Sequence, residues 1–328
     1  MKKFLFFVVL LACALAGYVV FWSTQPLIEV AEGQQPVEFS VKPGSGVRAI
    51  GEQIAASGIP LNPLLFEALA RASGKGDRLK AGDYELDPGV SPRKLLDQLA
   101  RGQFAQKSLA IIEGWTFRQM RAAIAAHPSL KHETANLSEK ELLAQITPDY
   151  KVAEGLFFPD TYLFAKGATD LQIYRMAHAL LVKRLNEHWE ARDPSVPYKT
   201  PYEALVMASI VEKETGKKGE RSTIAGVFVN RLRVGMLLQT DPTVIYGMGD
   251  RYKGNITKRD LLTDTPYNTY TRAGLPPSPI ALAGSAALAA ALRPAKTDAL
   301  YFVARGDGSS QFSDNLTDHN RAVNKFQR

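Results

Sequence analysis

Residues 202–241 read YEALVMASIVEKETGKKGERSTIAGVFVNRLRVGMLLQTD. The stretch opens as an apolar helix. Met207, Ile210 and Val211 recur at the three- and four-residue spacing of one helical face, and Glu214 falls on the same stripe seven residues after Met207. Gly216 is placed to stop the helix. Glu212 is only two residues from Glu214, so it points to a nearly opposite side, behind the weaker apolar face of Leu205, Ala208 and Ser209. The two glutamates are therefore not expected to form one carboxylate pair. A carboxylate closing an apolar stripe is partly desolvated, which raises its pKa and makes a general acid available at neutral pH. The same spacing also describes a solvated last turn that simply ends a helix.

A second helix is predicted from Glu220 to Arg233, with Ile224, Val227, Phe228 and Leu232 as its apolar stripe and Gly235 ending it. In Gln239-Thr240-Asp241-Pro242, Asp241 reads as an N-cap with proline at the first helical position. Asn230, Arg231, Gln239 and Thr240 are dense beside apolar runs. That suits a cleft for a polyhydroxylated ligand, and it suits an ordinary helix–turn surface too.

Outward from this centre, the chain of 328 residues has room for two domains and an anchor. Net charge is +7, which favours anionic surroundings, but no Lys/Arg block interleaved with aromatics marks a nucleic-acid site. Residues 4–22 carry no charge, and a helix of that length spans a bilayer core of roughly 30 Å. Lys2 and Lys3 precede it and place the N-terminus in the cytoplasm, with Tyr18 and Trp22 at the outer interface and the body outside. A cleaved signal peptide ending among Ala14–Gly17, or a lipid-bearing Cys13, would be the alternatives; the apolar run continuing to Trp22 argues against both. Cys13 is the only cysteine, so no intrachain disulfide or cysteine metal site exists, and the five histidines show no metal-binding spacing. Neither a metal nor a cofactor is expected.

Residues 23–36 are polar and proline-containing, a linker. A strand at 37–41, helices at 47–57 and 63–72, and a strand at 80–86 give the βααβ order of a LysM-like module, before a helix from Pro92 to Arg101. Fold analogy alone does not establish that such a module binds glycan. Further on come a strand at 108–112, helices from Thr116 and near 139–145, and the aromatic-rich turn Glu154-Gly-Leu-Phe-Phe-Pro-Asp-Thr-Tyr162. Phe158 and Tyr162 could line a sugar cleft, but read more simply as core. A long helix spans 171–192, a short one 241–248 ended by Gly249, and another 258–262. Thr265-Pro-Tyr-Asn-Thr-Tyr-Thr271 with Gly274-Leu-Pro-Pro-Ser-Pro279 is a stiff polar loop, followed by a helix at 281–292, a hairpin around Gly306-Asp-Gly308, and a final helix from about Asn315.

Three stretches carry a family resemblance: ASIVEKET; GVFVNRLRVGMLLQTDPTVIYGMG; and TPYNTYTRAGLPPSPI, continued through LRPAKTDALYFVARGDGSSQFSDNLTDHN. They resemble the endolytic murein (peptidoglycan) transglycosylases of the MltG/YceG-like type. The resemblance implies an α+β chain: N-terminal transmembrane helix (1–22), linker (23–36), LysM-like module (37–103) and mixed α/β catalytic domain (104–328). It implies a lytic transglycosylase acting on peptidoglycan glycan strands at the inner membrane, with peptidoglycan synthases as candidate partners. Glu214 matches the family's catalytic glutamate, the second of the EKE triplet. Glu220, Asn230, Arg231, Gln239, Thr240, Asp241, Tyr246, Asn268 and Tyr270 are the candidate substrate-binding residues. A lysozyme-type hydrolase, with Asp241 as the nearest second carboxylate, and a non-catalytic glycan-binding scaffold are the competing functions.

The topology is testable. A reporter enzyme fused after Arg328 is expected to be active only outside the cytoplasm; cytoplasmic activity would reverse the orientation, and lipid labelling of Cys13 would replace the span with a lipid anchor.

Overall fold

The computed structural model describes every residue except Met1, Glu32, Thr215, Gly216 and Arg328. The chain divides into two compact units, residues 1–107 with 163–167 and residues 108–162 with 168–328.

Unit 1 begins with α1 (Lys2–Thr24), whose stretch Phe6–Thr24 is long and apolar enough to cross a membrane. The Ser23 and Thr24 hydroxyls close it by donating to the carbonyls of Val20 and Phe21 at 2.7 and 2.8 Å. Residues 25–28 are not a free linker. Leu27 is buried, its N–H donates to the Val90 carbonyl at 2.9 Å, and the Gly89 N–H donates to the Ile28 carbonyl at 2.8 Å. Trp22 and Ile28 pack on the same core. Burying one leucine is worth about 1.5–3 kcal/mol, enough to hold so short a segment down.

The strand–helix–helix–strand order expected from the sequence is present as β1 (Val37–Val41), α2 (Val47–Ala56), α3 (Pro63–Ala72) and β2 (Gly82–Leu86), followed by α4 (Pro92–Arg101). The strands pair antiparallel with Phe39 opposite Tyr84, and their rings stack at 5.5 Å. Alternation puts Phe39, Val41, Tyr84 and Leu86 inward against Ile50, Ile54, Phe66 and Leu99 of the helices. Local chemistry starts the helices. Asn62 accepts from the N–H groups of Leu64 and Leu65 with Pro63 at the first position, and Ser91 does the same service before Pro92. A Cβ on Gly51 would lie 3.0 Å from the Pro63 backbone, so glycine is what lets α2 and α3 meet closely.

Past unit 1 the chain order is β3 (Gln106–Ala110), α5 (Phe117–Ala125), α6 (Glu139–Ile146), β4 (Thr161–Ala165), whose residues from Leu163 on belong to unit 1, and α7 (Asp170–Glu190). Strand β4, which pairs with β3, lies where the sequence suggested only an aromatic turn. Phe158 and Tyr162 are core residues, 6% and 4% exposed. Next come α8 (Pro201–Glu214), α9 (Arg221–Arg233), α10 (Asp241–Met248), α11 (Lys258–Leu262), α12 (Ser285–Leu292), the hairpin β5 (Tyr301–Ala304) with β6 (Ser310–Ser313), and α13 (Leu316–Phe326).

Helix α8 is the centre of unit 2, packed against α7, α9, α10 and α12. Eight successive residues, Ala204 to Val211, are buried. The stripe expected from spacing is thus a helix apolar on every side, as a fully enclosed helix must be. Its described part ends at Glu214; the expected stop at Gly216 lies outside the described residues. Helix α12 starts at Ser285, not Ala281. Residues 281–283 are buried but extended, because Leu282 exchanges backbone bonds with the 114–115 segment: Leu282 N–H to Trp115 O at 2.7 Å, Gly114 N–H to Leu282 O at 2.8 Å.

The docking of residues 25–28 predicts that Leu27→Ala destabilises unit 1 by about 2–4 kcal/mol, and that the Leu27 amide of the wild-type chain is protected from hydrogen exchange. Free-linker exchange at Leu27, or a change typical of an exposed position, would show the segment to be loose.

Candidate active site

Glu214 closes α8 and is half-buried. Its Oε1 accepts a short hydrogen bond from the Thr240 hydroxyl. Burial pushes the Glu214 carboxyl above the usual carboxylate range; the Thr240 hydroxyl pulls it back in part, and the nearby Asp241 charge adds to the rise. This is the environment of a carboxyl that can hold a proton and give it up.

Thr240 is itself 2% exposed. Its N–H donates to Thr269 Oγ1 at 3.1 Å and its carbonyl accepts from the Thr243 hydroxyl at 2.8 Å. Gln239, just before it, has φ = 50°, the one non-glycine residue with positive φ among those described. A left-handed side chain costs of order 1–3 kcal/mol and persists only where its surroundings over-determine it. Here the Gln239 N–H donates to the Thr269 carbonyl at 3.1 Å and its Oε1 accepts from Arg231 at 3.3 Å. Arg231 is 7% exposed and spends its guanidinium on the carbonyls of Leu237, Leu238 and Leu300 at 3.1, 3.0 and 2.6 Å. Gln239 and Arg231 thus build the turn that delivers Thr240.

The other candidates fall into two groups. Asp241 and Tyr270 stay near Glu214: the Tyr270 hydroxyl donates to Asp241 Oδ1 at 2.6 Å, and the Glu214 charge is felt at Tyr270. Asp241 is not the N-cap expected from the sequence. Thr240 holds that position, without a capping bond because its hydroxyl is committed to Glu214, and Asp241 is the first helical residue. The remaining polar side chains are spent on backbone. Asn268, 1% exposed, donates to the carbonyls of Leu261 and Thr263 and accepts from the Tyr270 N–H. Asn230 donates to the carbonyls of Thr297 and Ala299, and Glu220 accepts the Ser310 N–H. Tyr246 lines a cavity of about 1050 Å³ together with Lys213, Pro242 and Glu154.

Glu212 has a different station from Glu214. It accepts the Gly284 N–H at 2.9 Å and pairs with Arg221 at 3.3 Å, both side chains being largely enclosed. It ties α8 to the start of α12 and of α9. Ser209, fully buried, accepts the Ile280 N–H at 3.0 Å and so pins the proline-rich loop to α8. Three buried polar residues near the site escaped the sequence reading: Thr269 and Thr243, whose roles depend on contacts far apart in the chain, and Glu154. The signal for Glu154 was present, a lone carboxylate inside the apolar run Val-Ala-Glu-Gly-Leu-Phe-Phe.

The chain belongs to the YceG-like family, whose family model matches residues 39–325. It is 32% identical over 314 residues to the endolytic murein transglycosylase of Bacillus subtilis strain 168, covering 90% of this chain and 86% of that protein. It is 29% identical over 328 residues to the endolytic murein transglycosylase of Streptococcus pneumoniae serotype 2 strain D39, covering 89% of this chain and 59% of that longer protein. A crystal structure of a yceG-like protein from Listeria monocytogenes matches with a TM-score of 0.55 at 30% identity, over 88% of this chain and 99% of that one.

The Thr240 contact predicts that Thr240→Val moves the titration of the Glu214 carboxyl to higher pH, because the hydroxyl is the group opposing desolvation. Carbon NMR of labelled glutamate reads this directly; an unchanged or lower titration point would remove Thr240 from the site.

Proposed function

We propose that this chain is a membrane-anchored endolytic lytic transglycosylase that cleaves the bond between N-acetylmuramic acid and N-acetylglucosamine within nascent peptidoglycan strands. The observation that carries the reading is the half-buried Glu214, held by Thr240 with its proton affinity raised. The names of the similar proteins from Bacillus and Streptococcus give the substrate class.

Most glycosidases need two carboxylates. Here one suffices, because muramic acid carries its own nucleophile. Glu214 gives its proton to the glycosidic oxygen as the bond from C1 breaks. The C6 hydroxyl then attacks C1, and the Glu214 carboxylate takes the C6 proton. The strand ends in 1,6-anhydromuramic acid, Glu214 is protonated again, and no water is consumed. The acetamido oxygen of the substrate shares the developing positive charge. The other carboxylates near Glu214 are engaged, Glu212 by Arg221 and Gly284, and Asp241 by Tyr270, which favours this single-acid route over hydrolysis.

The apolar Phe6–Thr24 helix serves as the anchor, with the N-terminus cytoplasmic and the chain beyond the helix outside. Residues 37–103 act as a LysM-like module that grips or spaces the strand. Cleavage ends strand elongation, which places peptidoglycan synthases among the partners.

Digestion of purified glycan strands tests the reading. Wild type is expected to leave anhydro ends by mass spectrometry. Glu214→Gln keeps size and the Thr240 bond, removes the proton, and is expected to cut turnover by about 10²–10⁴-fold with folding intact. Glu212→Gln, which weakens the Arg221 pair, is expected to lose stability and keep most turnover. Hydrated reducing ends would establish hydrolysis, and an active Glu214→Gln would dismiss Glu214 as the acid.

A further inference from the structure

Asp241 and Tyr270 form a polar pair to which the mechanism above gives no role. The Tyr270 hydroxyl donates to Asp241 Oδ1 at 2.6 Å. Asp241 is exposed, and its second oxygen, Oδ2, has no hydrogen-bond partner among the described residues. A carboxylate with one oxygen tied down and the other open is an acceptor fixed in direction.

Two neighbouring chain segments place this pair beside Glu214. Along the first, Thr240 donates its hydroxyl to Glu214 Oε1. Asp241 comes next, its Cα about 3.8 Å from that of Thr240. The second segment runs alongside: the Gln239 and Thr240 N–H groups donate to the carbonyl and the hydroxyl of Thr269, both at 3.1 Å. Tyr270 follows Thr269, and its N–H donates to Oδ1 of the buried Asn268 at 2.8 Å. The buried Thr240–Thr269 rung is thus followed by the open Asp241–Tyr270 rung, with Glu214 anchored on the first. On the sugar, the reacting C1 adjoins C2, which carries the acetamido group. An acid that protonates the oxygen on C1 and an acceptor that holds the substituent on C2 must stand side by side, as Glu214 and Asp241 do.

We propose that Asp241 Oδ2 accepts the acetamido N–H of the muramic acid whose C1 reacts, and that Tyr270, by holding Oδ1, is the positioning residue that aims Oδ2 at it. The proposal rests on the transglycosylase reading of the preceding subsection and gives Asp241 a part in which it takes up no proton.

The step balances with Glu214 as the sole acid and base. As Glu214 protonates the glycosidic oxygen, the electron pair of the C1–O bond leaves with that oxygen. The acetamido carbonyl oxygen closes on C1 from the opposite face, and the positive charge spreads over the O–C–N unit of a five-membered oxazolinium ring. Its N–H stays on Asp241, so a neutral donor becomes a cationic one facing a carboxylate, and the contact strengthens as the charge develops. The C6 hydroxyl oxygen then bonds to C1 from the face the leaving group vacated. The electron pair of the C1–acetamido bond returns to the amide, and the C6 proton passes to Glu214. Both proton transfers occur on one face of the sugar, where a single carboxyl serves them.

A thiazoline analogue of N-acetylmuramic acid, with sulfur in place of the acetamido oxygen, has the ring of this intermediate already closed. Its binding to the full chain in detergent is compared with that of tetra-N-acetylchitotetraose, whose acetamido groups are in the ground state. Asp241→Asn keeps the size and an acceptor for Tyr270 but removes the charge. It is expected to weaken the thiazoline about ten- to a hundredfold, the worth of a hydrogen bond between charged groups, and the tetrasaccharide by less than about threefold. Tyr270→Phe is expected to lose about three- to tenfold for the thiazoline, with the tetrasaccharide again little changed. Its loss in turnover of glycan strands is expected in kcat rather than KM. Thermal melts check that both variants fold. Thiazoline affinity unmoved by either substitution, or equal losses for both ligands, would overturn the proposal. Wild-type product ends separate it from the reading beneath it. Anhydro ends with a thiazoline affinity indifferent to Asp241 remove the acetamido role alone. Hydrated reducing ends make Asp241 the base of a hydrolase, and absence of cleavage removes the reaction itself.

Discussion

Unit 2 is built on the requirement that one carboxyl be kept dry without being left unpartnered. Drying comes from α8, enclosed on all sides by α7, α9, α10 and α12. Desolvation alone would leave Glu214 with an unmet acceptor, a cost of about 1–3 kcal/mol. Thr240 meets it, but only because the backbone before it is bent into the left-handed region at Gln239. That bend is in turn held by Arg231 and Thr269, which come from α9 and from the loop after α11. The polar residues around the glutamate form a chain of supports, each buried group satisfied by the next. Arg231 is the charged member of the chain, 7% exposed. Its charge is met by carbonyl oxygens and by the Tyr301 ring, 5.2 Å from the guanidinium, and burial lowers its proton affinity.

The two glutamates of the EKE triplet show how partners decide role. Both sit at the end of one helix and burial raises the carboxyl of each. Glu212 meets a guanidinium and a backbone N–H, a geometry that fixes helices in place. Glu214 meets a neutral hydroxyl, which accommodates either protonation state because a hydroxyl can donate or accept. A cation in the place of Thr240 would hold Glu214 ionised and remove it as an acid.

Much of the fold was legible in the sequence because it is locally encoded. Asn62, Ser91, Thr116 and Asn315 cap their helices through side-chain bonds within a few residues, and alternation of Phe39, Val41, Tyr84 and Leu86 announced β1 and β2. Readings failed where a distant partner outbid a local preference. Ala281 to Ala283 have helical composition, yet their backbone bonds with residues 114 and 115. Asp241 has the chemistry of an N-cap, yet its carboxylate serves Tyr270. Residues 25–28 look like linker until Val90 and Gly89 supply their hydrogen-bond partners. At the site, the spacing that picked out Glu214 was local, whereas the commitment of Asn230, Arg231 and Asn268 to carbonyl oxygens depends on chain segments tens of residues away. Polarity beside apolar runs signals a buried hydrogen-bond network as readily as a sugar cleft, and only the partners distinguish the two.

The docked exit of α1 has a mechanical consequence. With Leu27 and Ile28 bonded to the 89–90 turn and Trp22 packed on the same core, the apolar helix and unit 1 are joined without a swivel. Were α1 to lie in a bilayer, tilting it to match a thinner hydrocarbon layer would turn the rest of unit 1 through the same angle. Lipid composition would then act on the orientation of a whole folded unit through a lever only a few residues long.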